Sequence, residues 1–561
     1  MFHRHWREHA IASLDEPFDL LVIGGGITGC GVFFDAAQRG LRVLLVEKDD
    51  LATGTSSRSS KLIHGGLRYL KQMQFGVTRE SCHERDRQMA LNPHLVQPLP
   101  FVFPAYRGDK TPGWMVEVGL WMYDRLTVEG YRHRRLPREE IDQWAPQLPR
   151  EELDRALLYY DAMADDARLT VAVAATGFHY GGLILTRAHV EAPIRDASGR
   201  LAGMEVCDQL SGEVHSVKAS LVVNATGAWV DGIRALAGYD DRTVRPSRGS
   251  HLIFDRASLP LDAALTIPSV DDGRPVFFIP HAEGALVGTT DLFHDGDIND
   301  PRPTQAEVDY LLRTTAAAFP DSPPRADDVL GAFAGVRPVI ASDVDDPSEA
   351  SREERIWHEN GLLSVAGGKL TTWRATAEQV VDDALKHLPS ERTHRLGDCM
   401  TDGTALAGLA PPDLGRRLRT IYNVDGDVAD GMARRLAALG PVACELSTPA
   451  ERWPMRDDTD LCVAEVRAWF RFGGVVHLSD LLLRRARLGM WRPAQAAALA
   501  ERVATLGCEE LGWSATRRDE ELERFARDAE AWSPEGVEAG GEVPVTERAD
   551  GAPGPPGAAG A

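Results

Sequence analysis

The sequence predicts a mixed α/β fold, α+β in its arrangement, with three parts. These are a parallel-sheet nucleotide-binding domain, an antiparallel-sheet substrate domain interleaved with it, and a C-terminal α-helical domain. Three observations predict this. A strand, glycine turn, helix and second strand fill Asp19 to Lys48. Alternating or continuous apolar runs recur at 248–254, 276–280 and 285–290. From about residue 390 helical periodicity takes over.

In the first unit, the apolar run Leu20 to Ile23 suits a buried parallel strand. Gly24, Gly26 and Gly29 follow in G-x-G-x-x-G spacing. Gly24 permits a tight turn, Gly26 leaves room for a pyrophosphate against the backbone, and Gly29 lets the helix lie close to the strands. The helix N-terminus offers free N–H groups and partial positive charge to the phosphates. Gly40 is a C-cap candidate after Arg39, and the strand Val43 to Val46 ends in Glu47, where an acid takes the ribose hydroxyls. Glycine spacing alone is a weak signal and fits any glycine-rich turn. The assembled unit reads as a Rossmann-like dinucleotide site. An acid at position 47 disfavours a 2′-phosphate, and with it NADP.

The polar loop 53–61 (TGTSSRSSK) and LIHGGLRYL come next, then helical spacing over Val77 to Ala90, ended by Pro93. Residues 98–106 read as a buried strand and 114–126 as a helix. A helix opens at Asp165, a strand follows at 183–186, and 220–227 (SLVVNATG) is a strand entering a tight turn. The runs at 248–254, 276–280 and 285–290 read as antiparallel strands. Residues 299–319 read as mostly helical, and 333–338 and 362–368 precede a long helix from Leu370 to about His387. Further helices are expected at 427–438, 461–472, 479–488 and 494–506, the last with Leu499, Val503 and Leu506 on one face.

This gives a region 17–390, with nucleotide-binding segments at about 17–105, 150–235 and 330–390 and substrate-domain segments at about 106–149 and 236–329. A separate helical domain spans 391–532. Residues 533–561, rich in Gly, Pro and Ala, read as a disordered tail.

With 561 residues the chain is long enough for two or three full cores. Its net charge of −22 argues against nucleic acid or anionic lipid held by bulk electrostatics, while leaving room for a local basic patch. Seven scattered cysteines with no C-x-x-C read as a reducing compartment with no disulfide frame and no metal site. The first ten residues lack the apolar core of a signal peptide, and the uncharged stretch 169–186 is broken by Gly177, His179, Gly181 and Gly182. The expectation is a soluble or peripheral protein.

Two later segments tip the dinucleotide toward FAD. One is the V-V-N-A-T-G turn at 222–227; the other is S-V-A-G-G-K-L-T-T at 364–372, a strand, a glycine pair and a helix start. A helix N-terminus beside the pyrimidine oxygens of a flavin stabilises the negative charge that develops on reduction. Taken alone, the second segment fits an ordinary strand-to-helix connection better.

Several blocks together resemble those of the FAD-dependent, respiratory bacterial glycerol-3-phosphate dehydrogenases. They are VIGGGITG (22–29), TSSRSSKLIHGGLRYL (55–70), WMVEVGLWMYDRL (114–126), DDARL (165–169), VNATGAW (223–229), RGSHLI (248–253), GTTD (288–291), GVRP (335–338), GGKLTT (367–372) and RRARLGMW (484–491). The resemblance covers about residues 17–532. Departures are Ala228 for a proline, Arg248 for a lysine and Trp373 for a tyrosine.

The resemblance implies a small dianionic substrate with a secondary alcohol, sn-glycerol 3-phosphate, oxidised to dihydroxyacetone phosphate. Hydride passes from C2 to the flavin and electrons pass on to a membrane quinone. Arg337 and His251 are expected at the C2 oxygen, and Arg68, Tyr69 and Lys369 on the phosphate; for each cation the alternative is a surface ion pair. His251 is either the base that takes the hydroxyl proton or a histidine that only packs against the flavin. FAD contacts are expected from Gly24, Gly26, Gly29, Glu47, Ser57, Lys61, His64, Gly227, Gly368, Leu370 and Thr371. His64 is expected to pack under the flavin, and most serines of the 55–60 loop read as turn residues.

A quinone acceptor requires contact with the cytoplasmic face of the inner membrane. Arg484, Arg485 and Arg487, with Arg467 and Arg471 nearby, are one candidate contact, a solvated helix face being the alternative. Exposed apolar residues flanking the flavin domain are the other candidate. A homodimer is compatible with the sequence. Rival readings are an oxidase passing electrons to oxygen, and a flavin-bearing redox sensor or scaffold without turnover.

Overall fold

The computed structural model describes residues 1–71, 73–109, 111–127, 131–341 and 354–543; the side chains of Arg68 and Lys71 lie outside the described residues. Two sheets and a helical layer share continuous apolar cores. In the first sheet the strands Leu183–Thr186, Val43–Glu47, Phe18–Ile23, Val214–Asn224 and Leu362–Ala366 run parallel side by side, and Arg355–Glu359 closes one edge antiparallel. Strands buried on both faces read as unbroken apolar runs, and Leu20, Leu21, Val22, Leu44 and Leu45 are all fully buried. Helices Ile27–Gln38, Asp166–His179 and Trp373–Leu385 cover one face. The hairpin Ala188–Arg195 and Leu201–Asp208 extends from Val214–Asn224.

The second sheet has ten strands, almost all antiparallel. At its centre Val244–Phe254 pairs with Val329–Ile340 on one side and Ala285–Gly288 on the other. Val96–Tyr106 and Leu153–Ala164 pair antiparallel along nearly their whole length. Residues 96–105, 150–164 and 330–340, expected in the nucleotide-binding part, thus have most of their length in this second sheet. Their apolar runs suit either sheet, and only the partner strand decides between them. The strand Leu153–Ala164 and the N-terminal helix Trp6–Ala12 are elements that periodicity did not show. Phe2 and Trp6 are nevertheless buried, and the Phe2 N–H donates to the Phe472 carbonyl at 3.1 Å.

The helical region packs directly on the second sheet. Leu481, Leu482, Met490, Trp491 and Trp532 share one core with Phe101, Tyr159, Ile253 and Phe333. Its basic segment is a single turn of π-helix, Asp480–Arg485, followed by Arg487 in the left-handed conformation (φ 63°) and the short helix Leu488–Trp491.

That geometry corrects the reading of the arginine cluster. Arg484, Arg485 and Arg487 are buried. Arg484 and Arg485 donate to Asp50, Arg484 also to Asp480, and Arg487 to Asp165 and Asp166. Burying cations is costly unless they are paired and hydrogen-bonded, and each has a carboxylate here. Arg467 and Arg471 pair with Glu451, Glu509 and Glu510. None of the five forms a basic face toward lipid.

The start of the tail also differs from expectation. After the turn Pro534–Gly536, the Glu538 N–H donates to the Pro303 carbonyl at 2.9 Å, and the Gln305 N–H donates back at 2.8 Å. Val537 and Val543 pack on the second sheet's core, a signal lost when composition is averaged over the tail. Residues 544–561 lie outside the described residues.

Candidate active site

A cavity of about 1780 Å³ runs between the two sheets, from the glycine loop to the second sheet. At its first end Gly24 (φ 111°) donates its N–H to the Val46 carbonyl at 2.9 Å. Gly26 is the N-cap of the helix Ile27–Gln38 and lines the cavity, and the Ser56 hydroxyl accepts the first free helix N–H, from Ile27, at 2.9 Å. A Cβ on Gly29 would lie 1.9 Å from the Gly24 carbonyl oxygen, so its lack of a side chain serves helix-to-loop packing. Glu47 accepts from the Gly25 N–H at 2.6 Å and the Asp49 N–H at 2.8 Å. Enclosure, and Asp49 beside it, push its carboxyl up to about 7.

Gly227, Gly368, Leu370 and Thr371 line the middle of the cavity. The helix expected from Leu370 begins at Trp373, leaving Gly367 and Gly368 in a left-handed turn at its N-terminus. The Thr371 hydroxyl accepts from the His64 N–H at 3.0 Å and donates to its carbonyl at 3.1 Å. This brings His64 into the wall.

Tyr69, Lys369, His251 and Arg337 line the same cavity. The Lys369 ammonium sits 4.2 Å over the Tyr69 ring. The glycine pair before them has a packing reason: a Cβ on Gly65 would lie 2.3 Å from the Tyr123 hydroxyl, and one on Gly66 2.2 Å from the Tyr69 ring. Arg68 lies on the adjoining helix Leu67–Lys71. Arg337 donates to Asp291 at 3.1 Å and to the Thr289 hydroxyl at 2.9 Å.

His251 is buried, its ring stacked on Phe333 with centroids 4.9 Å apart, and its Nε2 lies 2.9 Å from the Ser60 hydroxyl. Burial, reinforced by Arg337 and Lys61, holds this imidazole well below the ordinary histidine range, so it is neutral at pH 7.

Two expected flavin contacts do not face the cavity. Ser57 and Lys61 are buried beneath the loop: Lys61 donates to Asp166 at 2.8 Å and to the Ser57 carbonyl at 3.2 Å. Burial brings its ammonium down to about 8. A positive φ of 59° turns Lys61 inward, which spacing does not show.

Sequence reasoning read Ser56 and Ser60 only as turn residues that could cap near the flavin, and passed over Asp161, Asp166, Asp291 and Glu307. Ser60, Asp166 and Asp291 lie within the quoted blocks, yet their pairing partners are far apart in sequence. Asp161 lines the cavity and accepts from Arg85 at 2.7 Å and from the Tyr123 hydroxyl. Glu307 is fully buried and gathers Ser250, Thr290 and Arg248. Arg248, one of the departures from the family pattern, thus has a carboxylate. Among the described residues no His, Cys, Asp and Glu cluster fits a metal ion.

A glycine-cradled helix N-terminus, an acid at the end of the next strand and a long cavity reaching a neutral imidazole and two cations define an FAD-dependent oxidoreductase. The cofactor fits the residues present, since Gly26 leaves the helix start open and Glu47 and the 367–371 turn border the path. Residues 19–382 match the family model described as FAD dependent oxidoreductase, and 399–518 match the one described as C-terminal domain of alpha-glycerophosphate oxidase. The chain is 36% identical over 542 residues to glycerol-3-phosphate dehydrogenase of Mycobacterium leprae, covering 92% of this chain and 88% of that one. It is 37% identical over 546 residues to glycerol-3-phosphate dehydrogenase 2 of Mycobacterium tuberculosis, with the same coverage. The crystal structure of glycerol-3-phosphate dehydrogenase from Bacillus halodurans complexed with FAD superposes with a TM-score of 0.76 at 28% identity, covering 95% of this chain and 98% of that one. The chain belongs to the FAD-dependent glycerol-3-phosphate dehydrogenases.

Proposed function

We propose that the protein oxidises sn-glycerol 3-phosphate to dihydroxyacetone phosphate at the cytoplasmic face of the inner membrane and delivers the electrons to a membrane quinone. The observation that carries the reaction is the convergence of Tyr69, Lys369, Arg337 and His251 on the cavity that begins at the glycine loop. FAD supplies the two-electron acceptor for the C2 hydride. Lys369 and Tyr69, with Arg68 on the adjoining helix, hold the phosphate dianion, and Arg337 orients the C2 oxygen from its fixed place on Asp291 and Thr289. His251 takes the hydroxyl proton at Nε2, beside Ser60. A bound dianion offsets the cations that depress the imidazole and raises its proton affinity when substrate is present.

The membrane contact we propose is apolar. On the helix Gly113–Asp124, Trp114 and Trp121 are 56% and 52% exposed, with Met115 and Val118 between them in sequence and also exposed. Arg125 lies 4.3 Å over the Trp121 ring. Paired tryptophans, aliphatic residues and a flanking cation suit a headgroup boundary. Met115, Gly119 and Met122 of this helix also line the cavity, giving an apolar acceptor a short path. Among the described residues no helix is long and apolar enough to cross a membrane.

Oxygen as acceptor is the second reading, favoured by the oxidase name of the matched C-terminal model. Anaerobic addition of glycerol 3-phosphate should bleach the flavin, and reoxidation should be rapid with a short-chain quinone and slow with air. No bleaching refutes the substrate; rapid air reoxidation with stoichiometric peroxide and no quinone turnover refutes the acceptor.

A further inference from the structure

Both sides of the His251 ring are held from the helical region. Ser60, which meets His251 Nε2 at 2.9 Å, is flanked by two residues tied to one carboxylate. Asp166 accepts from the Ser59 N–H at 3.0 Å, the Ser59 hydroxyl at 2.7 Å and Lys61 Nζ at 2.8 Å. Arg487 holds that carboxylate: its guanidinium donates to Asp166 at 3.0 Å, to Asp165 at 2.9 Å and to the Ser57 carbonyl at 3.2 Å. On the other side of the ring Phe333 is backed by Trp532, centroids 5.1 Å apart, and the Ala332 N–H donates to the Trp532 carbonyl at 3.1 Å. The Arg487 guanidinium lies 5.7 Å from the centroid of that indole. Arg487 is buried, sits in a left-handed corner and does not line the cavity.

We propose that Arg487 is a positioning residue, through which the C-terminal helical region fixes the Ser60 and His251 pair that receives the substrate's hydroxyl proton. One guanidinium spans the loop 57–61 and the backing of Phe333, a reach that a planar fork with five donors has and an ammonium lacks. A small misplacement of a proton-accepting group costs turnover far more than binding. Lys369, the described cation proposed for the phosphate, is not among the partners of Arg487.

The test is a double-mutant cycle on the flavin-loaded protein with Arg487→Lys and Ser60→Ala. Arg487→Lys keeps the charge and should load FAD fully while lowering kcat about 10- to 100-fold, with KM for glycerol 3-phosphate unchanged within about two-fold. Ser60→Ala should lower kcat similarly, and the double variant should fall no further than the worse single one. An independent arm reads carbethoxylation of His251 by mass spectrometry, which should accelerate several-fold in Arg487→Lys. The inference rests on the glycerol 3-phosphate reading, and the two fail separately. A wild-type flavin that substrate does not bleach refutes that reading. A bleached wild type with additive losses in the cycle, or with unchanged kcat and His251 reactivity in Arg487→Lys, refutes this inference alone. If Arg487→Lys gives no soluble flavoprotein, Asp165→Asn, which removes one carboxylate partner, enters the same cycle with the same two outcomes.

Discussion

Gly26 and Gly29 lie three residues apart in one motif, and the structure separates what each does. Gly26 has φ −76° and ψ 175°, a conformation open to any residue, and an added Cβ would meet only the Ser56 hydroxyl at 3.3 Å. Gly26→Ala should leave the apoprotein's stability within about 1 kcal/mol of wild type, because the loss of unfolded-state freedom contributes about 0.4–1 kcal/mol in its favour and offsets the tight contact. Its methyl nonetheless enters the cavity at the helix start, where the pyrophosphate must approach the backbone, and Gly26→Val places a branched group there. Gly29 is the reverse case. A Cβ there would sit 1.9 Å from the Gly24 oxygen, so helix and loop must part by more than 1 Å to reach even 3.0 Å. Overpacking of this kind costs about 1–3 kcal/mol, and Gly29→Ala should destabilise the apoprotein itself. The assay pairs urea denaturation of apoprotein with flavin content from absorbance. Full flavin content in Gly26→Val, or wild-type apoprotein stability in Gly29→Ala, would refute the division of labour.

Arg337→Ala and Lys369→Ala should each lower kcat/KM by about 2–4 kcal/mol, roughly 30- to 1000-fold, the usual loss on unpairing a desolvated charge; near-normal values in both would move the substrate site elsewhere. Free Glu47 titrates at about 7, and ribose hydroxyls that donate to its carboxylate lower that value. FAD binding therefore releases a proton, and apoprotein affinity measured by fluorescence quenching should rise up to about 10-fold per pH unit below 7, a slope that Glu47→Gln should flatten. Burial holds His251 well below 6.5 and His281 at about 3. Both stay neutral when folded, so their stabilisation is complete above 6.5 and is lost as pH falls toward the folded values, approaching about 1.4 kcal/mol per pH unit each. Urea midpoints between pH 7 and 5 should fall less steeply in His281→Phe. Trp114→Glu with Trp121→Glu should abolish flotation with liposomes and spare short-chain quinone turnover; unchanged flotation would exclude this face.

The parallel unit was legible because its signals are local. A strand, three glycines, a helix and an acid lie within thirty residues, and each constrains the next. Tyr69, Lys369, Arg337 and His251 were singled out through the resemblance of their blocks to the family, and the structure lines one cavity with all four. What spacing did not show is orientation within a loop. Ser57 and Lys61 stand in the same short run as Ser56 and Ser60, yet the left-handed turn at Lys61 sends it into the core while Ser56 and Ser60 reach the cavity. No periodicity governs an irregular loop, so the choice falls to partners such as Asp166 and Ile27 that single-sequence patterns do not connect.

The arginine run 484–487 shows the same limit in a helix. As a local pattern it fits a solvated face, since unpaired arginines belong in water. Its partners Asp50, Asp165 and Asp166 come from the nucleotide-binding half of the chain, more than 300 residues away, and two of them stand beside segments that reach the cavity. A buried ion network of this size is poor evidence for stability, because desolvation consumes much of the Coulomb gain. What it supplies is geometry: Asp50 follows Glu47 by three residues, and Asp166 holds both neighbours of Ser60. The helical region therefore contacts the loops at both ends of the cavity, the end bearing Glu47 through Asp50 and the end bearing His251 through Asp166. A chain truncated near residue 390 would keep every glycine, cation and imidazole assigned to chemistry. It would lose Arg484 and Arg485, the cations paired with Asp50, and Arg487, which pairs with Asp165 and Asp166, leaving, among the described residues, Asp50 without a cation and Asp166 with Lys61 alone.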